Sequence, residues 1–174
     1  MRALFLSAQL PGHLDWGGYL ATACALMDRG HDILWASGNE VLPLLEIEGV
    51  PAFALETTGW RWPPPPPIRP KPGTDRQQFT RLRMQRALDQ WLEIERVTAA
   101  TVEISALVDK FQPDLILSEM FMASAGLVAE QHGVLVLPYR LSRPASASSA
   151  SAMEEPLAFG PCPVHRGREM IQSG

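Results

Sequence analysis

The sequence predicts a single α/β domain with a mostly parallel sheet. Three observations carry this expectation. Short continuous apolar runs, such as Ala3–Leu6, Ile33–Ala36 and Leu115–Leu117, suit strands covered on both faces. Between them lie stretches whose apolar residues recur at spacings of three and four, the helical period. The two kinds alternate as β-α-β-α-β, a loop, then α-β-α-β, which implies parallel pairing through right-handed crossovers.

The first strand, Ala3–Leu6, is broken by Pro11–Gly12. From Asp15 to Arg29 the residues Leu20, Ala23, Cys24 and Met27 keep helical spacing. Asp15 is the expected N-cap and Gly30 the stop. Ile33–Ala36 is the second strand, and Ser37–Asn39 turns the chain. A short helix over Glu40–Glu48 is ended by Gly49, and a third strand runs Val50–Leu55 with Pro51 at its start, where proline is tolerated. Periodicity then stops. The stretch 57–74 holds the Pro63–Pro67 run, Trp60, Trp62, Pro70 and Pro72, the composition of a stiff, extended surface loop. Thr74 or Asp75 caps one long helix, Arg76–Lys110, with Phe79, Leu82, Leu88, Trp91, Ile94, Val102 and Leu107 as its apolar stripe and arginines on its solvated face. Phe111–Asp114 turns into a fourth strand, Leu115–Ser118. A helix over Met122–His132 ends at Gly133, and Val134–Leu137 is the fifth strand. Past Tyr139, residues 144–152 are almost all Ala and Ser, and 159–174 show no period. The division read from this is a domain over 1–140 and an irregular tail over 141–174.

Composition narrows the function. A chain of 174 residues with 46% apolar content is one globular domain by default. A net charge of −4 without a basic stripe argues against nucleic acid, and no Lys/Arg block points to an anionic membrane surface. Cys24 and Cys162 form neither a disulfide framework nor a CxxC pair, which fits a reducing cytoplasm. The apolar start, Ala3–Ala8, is too short for a signal peptide, and no stretch reaches the ~20 apolar residues of a membrane span.

Several cofactor motifs are absent. The turn after the first strand lacks GxGxxG, so a nicotinamide or flavin is disfavoured. There is no phosphate-binding GxxxxGK[ST] and no GxSxG nucleophile elbow. His13, His31, His132 and His165 have no metal-ligand spacing, so no metal is expected. What remains is a polar pair. In open α/β sheets ligands bind beyond the carboxyl ends of the strands. Gly12 and His13 follow the first strand there, and Glu119 follows the fourth. If those strands are neighbours, the two side chains meet, and a carboxylate beside an imidazole makes a general base for a hydroxyl group. The alternative is that His13 caps the next helix and Glu119 is a solvated loop residue. His31 reads as a structural loop residue, His132 as a cation at a helix C-terminus, and Asp114 as a strand-entry residue. Trp60 and Trp62 either line an apolar acceptor pocket or pin the proline-rich loop to the domain.

Three segments resemble the N-terminal half of the GT-B glycosyltransferases that decorate macrolides, glycopeptides, sterols and plant metabolites. Gly12–His13–Leu14 and Leu26–Met27–Asp28–Arg29–Gly30–His31–Asp32–Ile33 look like that family's "GH…P…LA..L..RGH.V" opening. Gly49–Phe53 is similar to its "G..f" strand. Phe111–Glu119 and Ala129–Val134 look like its ".PDlvv.D….a..vAe..gvP". The likeness covers about residues 1–138. It departs in lacking the early Pro, with Gly17 or Gly18 near its place, in Glu119 for the commoner Asp, and in Leu135 where Pro usually stands.

The resemblance implies a Rossmann-like parallel sheet with helices on both faces, one of the two domains of a GT-B fold. It implies sugar transfer from a nucleotide sugar to an acceptor hydroxyl without a metal. His13 falls at the position of the catalytic base and Glu119 at that of its paired acid. Gly12, Leu14, Met120 and Phe121, flanking these two, and Trp60 and Trp62 are the candidate substrate-binding residues. The proline-rich loop and the stripe of Trp91 and its neighbours point to a small, apolar or aromatic acceptor, and by the resemblance the nucleotide-sugar donor belongs to the other domain. No residue past Tyr139 resembles that domain, so the chain is expected to be an acceptor-binding half, inactive alone, with the tail a replaced ending of a truncated or frame-shifted product. Two other readings stand beside it: a non-catalytic subunit pairing with a donor-binding half in trans, and a Rossmann-like small-molecule binder. Oligomeric state is left open.

Overall fold

The computed structural model describes residues 1–14, 18–63 and 65–139. The strands are β1 (Arg2–Leu6), β2 (Asp32–Ser37), β3 (Ala52–Ala54), β4 (Leu115–Glu119) and β5 (Leu135–Tyr139). The helices are α1 (Tyr19–Asp28), α2 (Leu42–Ile47), α3 (Arg76–Trp91), α4 (Ile94–Phe111) and α5 (Ala123–His132), and a 3-10 turn spans Pro11–His13. The five strands form one sheet in the order β3-β2-β1-β4-β5, and every pairing is parallel. β1 and β4 are therefore direct neighbours, with Leu6 opposite Ser118.

Alternation along β1 sends its side chains to two cores. Ala3 and Phe5 pack with Tyr19, Ala23, Trp35 and Leu45 on the side of α1 and α2. Leu4 and Leu6 pack with Ile104, Val108, Ala125 and Val128 on the side of α4 and α5. Both faces of the central strands are thus covered, which explains why their sequences are unbroken apolar runs rather than alternating ones. Tyr19 joins α1 to the sheet: its hydroxyl lies 2.7 Å from the Leu117 carbonyl and accepts the Leu6 N–H at 3.3 Å. At the strand entries Asp114 accepts the Arg2 N–H at 2.7 Å, the role expected of it.

Three expectations need correction. α1 starts at Tyr19 with Gly18 as its cap residue; Asp15, expected to cap it, lies outside the described residues, as do Gly17, Pro64, Cys162, His165 and the whole 141–174 tail. The predicted long helix is two helices. Leu92 leaves helical geometry and Glu93 is extended, φ −66° and ψ 114°, at the N-cap of α4. The apolar stripe read across that break is not one face. Leu82, Leu88, Ile94 and Val102 are exposed, and the face of α4 that packs is Ala100, Thr101, Ile104, Leu107 and Val108. A period counted through a break joins residues that point in different directions, and Val102, two residues from Ile104, lies on the far side of its helix. β3 is also shorter than Val50–Leu55, and its three residues are exposed at the sheet edge. Elsewhere the expected stops hold: Gly30, Gly49 and Gly133 all take positive φ just past their helices, the conformation that favours glycine there. Asp75 caps α3, accepting the Gln77 and Gln78 N–H groups.

The stretch 57–74 has neither helix nor strand among its described residues. Its start is tied to α4. The Glu103 carboxylate accepts the Glu56 N–H at 3.0 Å, and Gly59 lies so close that a Cβ there would touch Val97 at 3.7 Å. This anchoring aims Trp60 at the carboxyl end of the sheet.

Candidate functional site at the ends of β1 and β4

After β1 the chain stays buried through Ser7, Ala8 and Gln9, then tightens into the Pro11–His13 turn, with the His13 N–H on the Leu10 carbonyl at 2.9 Å. That turn brings His13 back over the end of the neighbouring β4, where Glu119 is the last strand residue and only 7% exposed. The two side chains meet, His13 Nδ1 against Glu119 Oε1. The other carboxylate oxygen, Oε2, accepts the Ala8 N–H at 2.9 Å. Glu119 is thus held at both oxygens by the segment leaving β1. With Nδ1–H donated to the carboxylate, Nε2 becomes the basic nitrogen of the ring.

Burial sets the electrostatics. It pushes the Glu119 carboxyl up to about 7, against the opposing pull of the Ala8 N–H. It also holds the His13 imidazole below its ordinary 6.5. Both shifts disfavour the charge-separated ion pair in a low-dielectric site. In contact through Nδ1 and Oε1, the two groups titrate as a coupled pair rather than independently.

A wall of rings stands beside the pair. Phe121 lies over His13 at 5.5 Å between centroids, tilted 31°. Trp60 approaches His13 edge-on at 6.3 Å and Phe121 at 5.2 Å. The indole N–H of Trp60 donates to the Phe121 carbonyl at 3.0 Å, so Trp60 both pins its loop and joins the site. Trp91, the last residue of α3, meets Phe121 edge-on at 5.2 Å. Its Nε1 is buried and has no hydrogen-bond partner among the described residues.

Of the residues singled out from sequence, the structure gathers Gly12, His13, Trp60, Glu119 and Phe121. A Cβ on Gly12 would meet nothing within 4 Å, so the turn leaves open space beside His13. Met120 follows Glu119 directly and is half exposed. Leu14 does not belong: it is 2% exposed and packs in the core on the α1 side, because the 3-10 turn points successive side chains in different directions. Trp62 is half-buried in the proline-rich loop and makes no ring contact with His13, Trp60, Phe121 or Trp91 among the described residues. Trp91 and the Ala8 N–H are the additions. Trp91 was legible as part of an apolar stripe pointing to an apolar or aromatic acceptor, though not as a neighbour of Phe121, and a backbone N–H carries no sequence signal at all. No group of three or more His, Cys, Asp or Glu side chains among the described residues is placed to hold a metal ion. No helix among them is long and apolar enough to cross a membrane.

No family model matches the chain, and no curated protein matches it. Solved structures do match. The glycosyltransferase SsfS6 of Streptomyces sp. SF2575 aligns over 78% of this chain at 21% identity, with a TM-score of 0.56. The glycosyltransferase VinC, solved with dTDP, aligns over 79% at 19% identity and a TM-score of 0.54. The spinosyn rhamnosyltransferase SpnG aligns over 78% at 16% identity and a TM-score of 0.55. The chain covers 38% of SsfS6 and 34% of VinC and of SpnG. It thus spans little more than a third of these structures, and over that part it shares their Rossmann-like fold, one domain of the GT-B architecture.

Proposed function

We propose that this chain is the acceptor-binding half of a GT-B glycosyltransferase and that His13 is the general base for the acceptor hydroxyl. The observation that carries this reading is the buried His13–Glu119 pair at the carboxyl ends of β1 and β4, in a domain folded like those of sugar-transferring enzymes. Glu119 fixes the ring so that Nε2 takes the hydroxyl proton as the oxygen attacks the sugar's anomeric carbon, and the nucleoside diphosphate departs from that carbon. General-base assistance of this kind is typically worth about 10²–10⁴-fold in rate. Trp60, Phe121 and Trp91 form the apolar wall against which the acceptor body lies, and Gly12 leaves room for it. The donor is a nucleotide sugar, in keeping with the dTDP held by VinC. It binds a donor half on the same or a separate polypeptide, and this half alone does not transfer sugar, because a single half cannot close around both reactants.

The test supplies nucleotide sugars and a panel of apolar and aromatic alcohols to the chain, with and without a GT-B donor-binding half in trans. Transfer is expected only in the combined system. His13→Ala should lower it at least about 10²-fold with the fold intact. Transfer by the chain alone overturns the inactivity claim, and full transfer by His13→Ala overturns the base assignment. Transfer in no combination, with no acceptor bound by the chain, counts against the transferase reading as a whole.

A further inference from the structure

We infer that the outer groove between α4 and α5 holds a second reactive centre, a Ser105–His132–Asp109 relay that accepts acyl groups from activated esters. Ser105 and Asp109 are four residues apart on α4 and so share one helix face. His132 ends α5 and reaches across to both. Its Nε2 lies 2.5 Å from Ser105 Oγ, and its Nδ1 lies 3.5 Å from Asp109 Oδ1. A nucleophile bonded to a base that is oriented by a third group is the arrangement that activates a hydroxyl. The relay is remote in the chain from the His13 site, since Glu119 precedes the start of α5 and His132 ends it.

The surroundings suit a small ester. Ser105 and Asp109 line an open groove of about 490 Å³ together with Val102, Leu127 and Gln131. Val102 and Leu127 are exposed apolar side chains with no role in the core, and they offer a surface for an acyl chain. Gln131 also lines the groove, and its side-chain amide carries two N–H donors. The Ser105 N–H, inside α4, is engaged in the helix ladder, so the oxyanion receives no backbone donor from that residue. Asp109 is exposed, with 69% of its side chain accessible, so solvent screens its support of the imidazolium.

Oγ bonds to the ester carbonyl carbon as its proton passes to Nε2. The carbon–oxygen bond to the alcohol breaks, and the alcohol leaves with the proton from the imidazolium. Water, deprotonated by the same nitrogen, later attacks the acyl-serine and releases the carboxylic acid, returning the proton to Oγ. The activated ester carries a better leaving group than the alkyl ester of the acyl-serine, so the second step is the slower one and acyl-enzyme accumulates.

The experiment treats the full chain with p-nitrophenyl acetate and, separately, with a fluorophosphonate, and locates the adduct by peptide mapping. A burst of about one equivalent of p-nitrophenolate, followed by slow turnover, is the expected signature of an accumulating acyl-enzyme. Both reagents should mark Ser105. Ser105→Ala should abolish the burst, and His132→Gln should slow it at least about 10²-fold, each with an unchanged unfolding midpoint. Labelling elsewhere only, or a burst that survives Ser105→Ala, overturns the inference. Should Ser105→Ala fail to fold, Ser105→Cys serves instead. Its alkylation by iodoacetamide is expected to run faster at neutral pH than that of a free thiol and to slow with the added His132→Gln, and an ordinary thiol profile overturns the relay.

Discussion

Glu119 shows how much a single buried carboxylate shapes the site. Its folded value near 7 exceeds the 4.5 of an unburied carboxyl. Between those limits the folded chain keeps a proton that the unfolded chain has released, so Glu119 costs stability progressively as pH rises through that window. His13 acts in the opposite direction. Held below 6.5, it refuses in the folded state a proton that the unfolded chain accepts, and stability falls as pH drops through 6.5. The two slopes oppose each other in the wild type. Glu119→Gln leaves only the histidine slope, so its denaturation free energy should fall from pH 7 to pH 5 more steeply than that of the wild type. Parallel curves would show that burial of the carboxyl is not what shifts the pair. His13 and Glu119 were both legible from sequence, because each follows a strand at the end where α/β sheets bind ligands. The contact of Trp91 with Phe121 was not, since nothing local marks a helix residue as the neighbour of a ring thirty positions away.

Among the helices, α3 and α4 differ as their compositions do: α3 is rich in Arg and Gln, α4 in Ala, Val and Ile. α4 packs five residues against the sheet and α5, whereas α3 buries none. The stability of α3 therefore rests on its cap, on the contact of its last residue, Trp91, with Phe121, and on its junction with the proline-rich loop, where the Arg61 N–H donates to the Gln90 carbonyl at 3.2 Å. Asp75→Ala removes the two cap bonds and should cost α3 about 1 kcal/mol. Hydrogen exchange should show faster opening of the α3 amides with the global unfolding midpoint unmoved. A matching fall in the global midpoint would mean that α3 folds as one unit with the core. The same contrast explains why the long stripe misled: amphipathic spacing identifies a helix, and it identifies the packed face only where the helix is continuous.

The sheet and its two cores bind the described fold together. Ile104 is fully buried between α4 and the sheet, so Ile104→Ala should lower global stability by about 2–5 kcal/mol. Ile94, on the same helix but 80% exposed, should tolerate alanine within about 0.5 kcal/mol. Chemical denaturation of the pair separates a core face from a merely apolar residue, and equal losses would refute the assignment of the buried face. Likeness to glycosyltransferases lies in this architecture, and it extends over little more than a third of those structures.

The linear sequence carried the parallel α/β architecture, the glycine stops and the placing of His13 and Glu119 at strand ends, because apolar runs, helical spacing and strand termini are all local properties of the chain. Adjacency of β1 and β4 was inferred from the habit of such sheets, and the structure bears it out. The break between α3 and α4, the removal of Leu14 to the core, the grip of the Ala8 N–H on Glu119 and the ring wall of Trp60, Phe121 and Trp91 emerged only in three dimensions. Each depends on contacts between segments distant along the chain, or on a change of chain direction, and a periodicity counted along the sequence registers neither.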